Sequence, residues 1–174
     1  MLNILRGGVK RPDLKKTGAR LVGELTVQAR NPGFFTALGV ADTIDGRFDM
    51  VALHGWLVLE RLTQLGRRDL AQALTNRLFI DFDEALRELG TGDMGMSRRM
   101  TSMGDAFYGR LQAYSGAKDE IELADAIQRN VFRGAENRKN QALAIARYVE
   151  ASRDALAKLD PEKHPLQFAA VLKS

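Results

Sequence analysis

The stretch RFDMVALHGWLVLERLTQL, residues 47–65, is apolar on most sides of a 3.6-residue helix, and it constrains the fold more than any other feature of the chain. A helix without a polar face needs cover from several directions, so it belongs at the centre of a core and other helices must surround it. Its longest apolar run, Val51 to Leu59, contains His54 and Gly55 and meets Glu60 and Arg61. That run is far shorter than the ~20 residues needed to span a bilayer.

The rest of the chain supplies helices to do the covering. PDLKKTGARLVGELTVQAR opens with Pro12 and sets Leu14, Gly18, Leu21 and Leu25 on one side, with Lys16 and Arg20 roughly opposite. Asn31 before Pro32 is a start signal for a short helix, and DTIDGR reads as the turn that leads out of it. Leu70, Leu74, Leu78, Phe82, Ala85, Leu86 and Leu89 recur at spacings of three and four, which predicts another helix. MGMSRRMTSMGDAFYGRLQAY carries Met96, Met100, Met103, Phe107, Leu111 and Tyr114 on one stripe. Asp119 with Glu122 resembles a capping box opening DEIELADAIQRNVF. NRKNQALAIARYVEASRDALAKL runs to Pro161, and HPLQFAAVL is an apolar tail that either straps back onto the bundle or docks elsewhere. No alternating run bounded by turns argues for a sheet. The expected architecture is all-α: a basic arm over 1–11, one compact domain of six to seven helices over 12–160, and a tail over 161–174. A chain of 174 residues is one domain's worth.

Composition narrows the chemistry. The absence of cysteine excludes disulfides, thiolate metal sites and a cysteine nucleophile. The net charge of +4 is uneven: residues 1–30 carry +5, 31–128 carry −5 and 129–174 carry +4. Basic ends point to an anionic surface, phospholipid or ribosomal RNA, and Lys10, Arg11, Lys15, Lys16 and Arg20 are the candidate contacts; the alternative is ordinary solvated helix faces. The opening MLNILRGGVKR lacks the apolar core and cleavage site of a secretory signal.

Motifs for catalysis fall away when tested. GTGDMG, residues 90–95, has the letters of a dinucleotide fingerprint, but a helical pattern precedes it where a strand is required, and no carboxylate follows at the ribose distance. Gly90 is better read as the left-handed residue that stops a helix. Neither His54 nor His164 has a Glu three residues before it, as a carboxylate-bridged metal bundle requires. DFDEALRE lacks the later oxygen ligand and the glycine of a calcium loop, and its acids are spaced to pair with Arg77 and Arg87 along one helix. His54, beside Trp56, reads as a core histidine, with a general base in an α-helical enzyme as the alternative. No metal or cofactor is expected.

The methionines are the candidate binding feature. Met94, Met96, Met100 and Met103 fall within ten residues, and flexible thioethers suit an adaptable apolar surface. The alternative is a core stripe that uses methionine. Arg98 and Arg99 flank the stripe, and Tyr108 with Arg110 combines an aromatic body with a planar donor.

Three segments in order, DTIDGRFDMVALHGWLVLERL, FIDFDEALRELGTGDMG and RRMTSMGDAFYGRLQAY, closely resemble the ubiquinol-cytochrome c chaperone family. The similarity covers about residues 15–150, with LRELG-x-GD followed by FYGR as its most specific part. The resemblance implies a domain without catalytic activity that assists assembly of respiratory complex III. Mitochondrial members bind newly made cytochrome b near the ribosomal exit tunnel at the inner membrane. The expected partners are therefore cytochrome b, the ribosome and an anionic membrane surface, with no DNA. The short lead before the domain implies a bacterial or already processed chain, cytoplasmic and peripheral to the inner membrane, or on the matrix side in a eukaryote. With the methionine stripe as client surface, the expected site is Met94, Met96, Arg98, Arg99, Met100, Met103, Phe107, Tyr108 and Arg110.

Overall fold

In a computed structural model, which describes residues 13–90 and 92–171, seven α-helices and one 3-10 turn pack around a single core, with no strand among the described residues. α1 (Leu14–Ala29) starts where the Asp13 side chain accepts from the Lys16 amide at 3.2 Å; Pro12, read from sequence as its opening residue, lies outside the described residues. α2 (Pro32–Thr36) is capped by Asn31. α3 (Ile44–Gln64) is the central helix, with Trp56, Leu53, Leu57 and Met50 among the largest fully buried side chains. DTIDGR is only partly a turn. The Thr43 hydroxyl accepts from the Gly46 amide at 3.1 Å, so the helix begins at Ile44. Gly46 is needed there because a Cβ would overlap the Ala41 carbonyl oxygen.

α4 (Arg68–Glu88) buries Leu70, Leu74, Leu78, Phe82 and Leu86, a four-residue repeat that lays one stripe along the core. Each such side chain contributes on the order of 1.5–3 kcal/mol when withdrawn from water. Arg77 pairs with Asp81 at 2.6 Å and Arg87 with Asp83 at 2.8 Å along its outer face. The helix ends at Gly90, whose φ of +78° is a left-handed stop that costs glycine little. Of the fingerprint glycines, Gly90 and Gly92 thus lie between two helices and Gly95 in the first turn of the second, with no strand before them.

α5 (Asp93–Ser115) follows, then α6 (Glu120–Val131). Its Asp119 Oδ1 accepts from the Glu122 amide at 2.8 Å, while the Glu122 carboxylate reaches the Lys118 amide at 2.9 Å. A 3-10 turn (Glu136–Arg138) leads into α7 (Lys139–Ala157).

The tail straps back. Arg20 donates to the carbonyls of Pro161 at 2.6 Å and His164 at 3.3 Å, and Glu24 accepts from the Leu166 amide at 2.8 Å. Further on, the Ser152 hydroxyl accepts from the Ala169 amide at 3.1 Å, and the Phe168 ring stands edge-on to His54 at 5.3 Å. No helix among the described residues is long and apolar enough to cross a membrane.

Candidate functional site

Packing splits the methionine stripe. Met96 and Phe107 are buried, Phe107 completely, and Phe107 meets Phe79 and Phe82 edge-on at 5.6 and 6.2 Å. Met100 and Met103 are half-buried against the same cluster. The stripe faces the core, because α3 and α4 have apolar faces that only α5 can cover from this side. The predicted client residues Met96 and Phe107 are therefore core residues in this fold. Met94, two residues before Met96, is fully exposed, and Arg98 and Arg99 are exposed. Tyr108 is about half exposed and stacks on Phe79 at 6.0 Å with an interplanar angle of 21°.

The flank of α5 presents something different. A groove of about 440 Å³ opens between the first turns of α3 (Ile44, Asp45, Phe48), the end of α4 (Leu86, Leu89) and the middle of α5. From α5 it takes Arg99, Ser102, Met103, Ala106 and Arg110, and Arg133 joins from the connection after α6. Ile44 and Leu89 leave 57 % and 53 % of their surface in solvent, on opposite walls.

Beneath the groove lies a buried carboxylate. Asp49 has no exposed surface, and Arg110 grips its Oδ1 through Nη2 at 2.6 Å and Nε at 2.9 Å. Arg133 Nη1 donates to Oδ2 at 2.8 Å. Burial pushes the Asp49 carboxyl above the ordinary carboxylate range, against the pull of both guanidinium groups. Arg110 also lies 5.1 Å over the Phe48 ring and bonds the Ala106 carbonyl at 2.9 Å. It is a structural pillar of the groove more than a free donor. Sequence reasoning missed Asp49, although one signal was present: a carboxylate inside the most apolar helix requires a buried partner.

Arg133 has the one positive φ, +55°, among the non-glycine described residues. The left-handed region disfavours a side chain by roughly 1–2 kcal/mol. Its Nη1 also donates to the Asn130 carbonyl, and 53 % of its side chain stays exposed at the groove rim.

Of the predicted anionic-surface contacts, Lys10 and Arg11 lie outside the described residues. Lys15 and Lys16 are exposed on the first turns of α1. Arg20 is diverted to the tail, where its guanidinium is spent on Glu24 at 2.9 Å and on backbone carbonyls.

His54 is fully buried. Nδ1 donates to the Met50 carbonyl at 2.7 Å, which makes Nε2 the acceptor of the Tyr148 hydroxyl at 2.8 Å; that hydroxyl accepts in turn from Gln28 at 3.0 Å. Burial holds the imidazole down at about 4, so it is neutral near pH 7. With both ring nitrogens engaged inside the core and no surface in solvent, it is a satisfied core histidine.

The fold and the groove define a class, the all-α binding domain: apolar walls from three helices supply contact area, and guanidinium groups at the rim supply charge. Residues 36–164 match the model of the ubiquinol-cytochrome C chaperone family, and the chain belongs to that family. It is 25 % identical over 133 residues to the ubiquinol-cytochrome-c reductase complex assembly factor 1 of Xenopus laevis, covering 74 % of this chain and 66 % of that protein. The chain thus spans just under two thirds of the length of that relative. The crystal structure of the Cbp3 homolog from Brucella abortus superposes with a TM-score of 0.80 at 32 % identity, over 90 % of this chain and 91 % of the other.

Proposed function

We propose that this protein is a non-catalytic chaperone in the assembly of ubiquinol-cytochrome c reductase, respiratory complex III, and that its client is newly made cytochrome b. The observation that carries the reading is the family match over residues 36–164, which spans every residue lining the groove, from Ile44 to Arg133. An assembly chaperone needs reversible apolar contact, and walls left open at Ile44 and Leu89 offer it. In this reading an apolar client segment occupies the groove; Met94, Arg98 and Tyr108 are exposed on α5 but do not line it. The exposed Lys15 and Lys16 fit a role in holding the chaperone near an anionic membrane surface or the ribosome, on the cytoplasmic or matrix side of the inner membrane.

The test is deletion of the coding sequence in its own cell, with complex III followed on native gels and cytochrome b by its haem spectrum. Loss of the complex, restored by the full chain and accompanied by co-purification of cytochrome b, is the expected result. Normal assembly without the protein would refute the reading. If the complex is lost but cytochrome b never co-purifies, the assembly role stands and the named client falls.

A further inference from the structure

We propose that the seat of the C-terminal tail is an exchangeable peptide slot, filled in the resting chain by residues 165–171 and open to a non-helical apolar segment of the client that displaces them. The source of that segment rests on the chaperone reading. Its chemistry is read from the tail itself.

The tail shows what the slot accepts. From Pro165 to Val171 it is neither helix nor strand, and among the described residues no backbone–backbone hydrogen bond engages it. Its fastenings come from side chains of the body and go to main-chain atoms. Glu24 of α1 accepts from the Leu166 amide at 2.8 Å, and the Ser152 hydroxyl of α7 accepts from the Ala169 amide at 3.1 Å. Just upstream, Arg20 donates to the Pro161 and His164 carbonyls. None of these bonds reads a tail side chain. A segment with two free amides three residues apart would satisfy Glu24 and Ser152 equally well, whereas a helical segment would not, since its amides are already bonded to its own carbonyls.

The side chains set the rest of the specificity. Leu166, Phe168 and Ala169 are half-buried against the core and Val171 is buried, while Gln167 and Ala170 are exposed. Phe168 stands edge-on to the buried His54, and Ser152 has no exposed surface. Main-chain bonds that hold and alternate side chains that select are a recurrent mode of peptide recognition.

Exchange follows from how lightly the tail is held. Seven residues are ordered by two amide bonds and the partial burial of four side chains. The entropy lost in fixing each residue is comparable with what one such bond returns. A segment of this kind belongs to the low-stability end of local opening, and its release breaks no helix.

The test is binding of a fluorescent peptide of residues 164–171 to the full chain, followed by anisotropy. Wild type should bind it weakly, because its own tail competes at high local concentration. Leu166→Ser with Phe168→Ser in the chain empties the slot and should tighten binding at least about tenfold. Phe168→Ala alone serves if the double variant folds poorly by circular dichroism. Methylating the peptide nitrogens of Leu166 and Ala169 should weaken binding about tenfold, the scale of two neutral hydrogen bonds. Gln167→Lys with Ala170→Lys in the peptide should change it by less than about threefold, since both side chains face solvent. In cells making the bc complex, a photocrosslinker at Gln28, the half-buried α1 residue bonded to Tyr148, should mark the tail in wild type and cytochrome b in the tail variant. No peptide binding by a folded tail variant, indifference to N-methylation, or crosslinks only between copies of this chain would each overturn the proposal. The deletion experiment separates this from the chaperone reading: complex III lost on deletion, with the tail variant blind to the peptide, sinks the proposal and spares that reading.

Discussion

Acidification should destabilise this protein through His54, and the size of the effect follows from its burial. The folded-state pKa is held down at about 4 by desolvation, against the ordinary 6.5. Between those values the unfolded chain binds more protons than the folded one. Stability is therefore fully present above about 6.5 and is lost as pH falls toward about 4. At pH 5 the unfolded imidazole is almost wholly protonated and the folded one about a tenth, which gives a loss of about 2 kcal/mol between pH 7 and pH 5. The side chain has no exposed surface, so no discount for solvent screening applies. With a urea slope of about 2 kcal/mol per molar, the unfolding midpoint should fall by about 1 M. His54→Phe removes the titrating group and should unfold at lower urea at both pH values, yet lose much less between them. An equal pH 7 to pH 5 loss in wild type and variant would refute the reasoning, as would an NMR titration of His54 near its ordinary value. The Asp42 and Asp160 carboxyls, held low chiefly by hydrogen bonds to Arg47 and Arg67, titrate below this window, whereas the Asp49 and Asp81 carboxyls, raised by burial, offset part of the loss in wild type and variant alike, so the difference between the two proteins isolates His54.

Other perturbations test the core beneath the groove. Asp49→Ala strands Arg110 and Arg133 over the core and should cost about 3–5 kcal/mol in denaturant unfolding, the scale of a buried pair broken on one side. Tyr114→Phe should instead be neutral or stabilising by up to about 1 kcal/mol, because the Tyr114 hydroxyl is buried without a hydrogen-bond partner; a loss above 2 kcal/mol would mean that the hydroxyl is satisfied. Phe107→Ser should unfold the domain or lower its thermal midpoint by well over 10 °C, on the scale of a lost core aromatic. A folded Phe107→Ser protein with a wild-type midpoint would put that ring back on the surface.

The helices were legible because their signals are local. Asp119 with Glu122, Gly90 at a left-handed stop and the four-residue repeat from Leu70 to Leu86 each act within a turn or two of chain, and each does in the structure what its spacing demands. The all-round apolar character of Val51 to Leu62 likewise required burial wherever the chain placed it, and α3 lies at the centre. The start of α3 was misjudged at DTIDGR because the cap there, Thr43 to Gly46, depends on Ala41 closing over a residue without a side chain.

The binding face was another matter. Periodicity shows that Met96, Met100, Met103 and Phe107 share one side of α5, but a core stripe and a client surface have the same period. What covers that side is a property of α3 and α4, whose open apolar faces draw it inward. The groove is built from residues of α3, α4, α5 and the turn after α6, with Ile44 and Arg133 some ninety positions apart in sequence. Arg20 illustrates the same limit, since its charge was readable and its partner, the tail more than 140 residues away, was not. Sequence determined which residues share a helix and which of its sides is apolar, because those depend on backbone geometry a few residues long. Only the tertiary structure decided which apolar side is covered and which is left open, because cover comes from elements that the chain brings together at a distance.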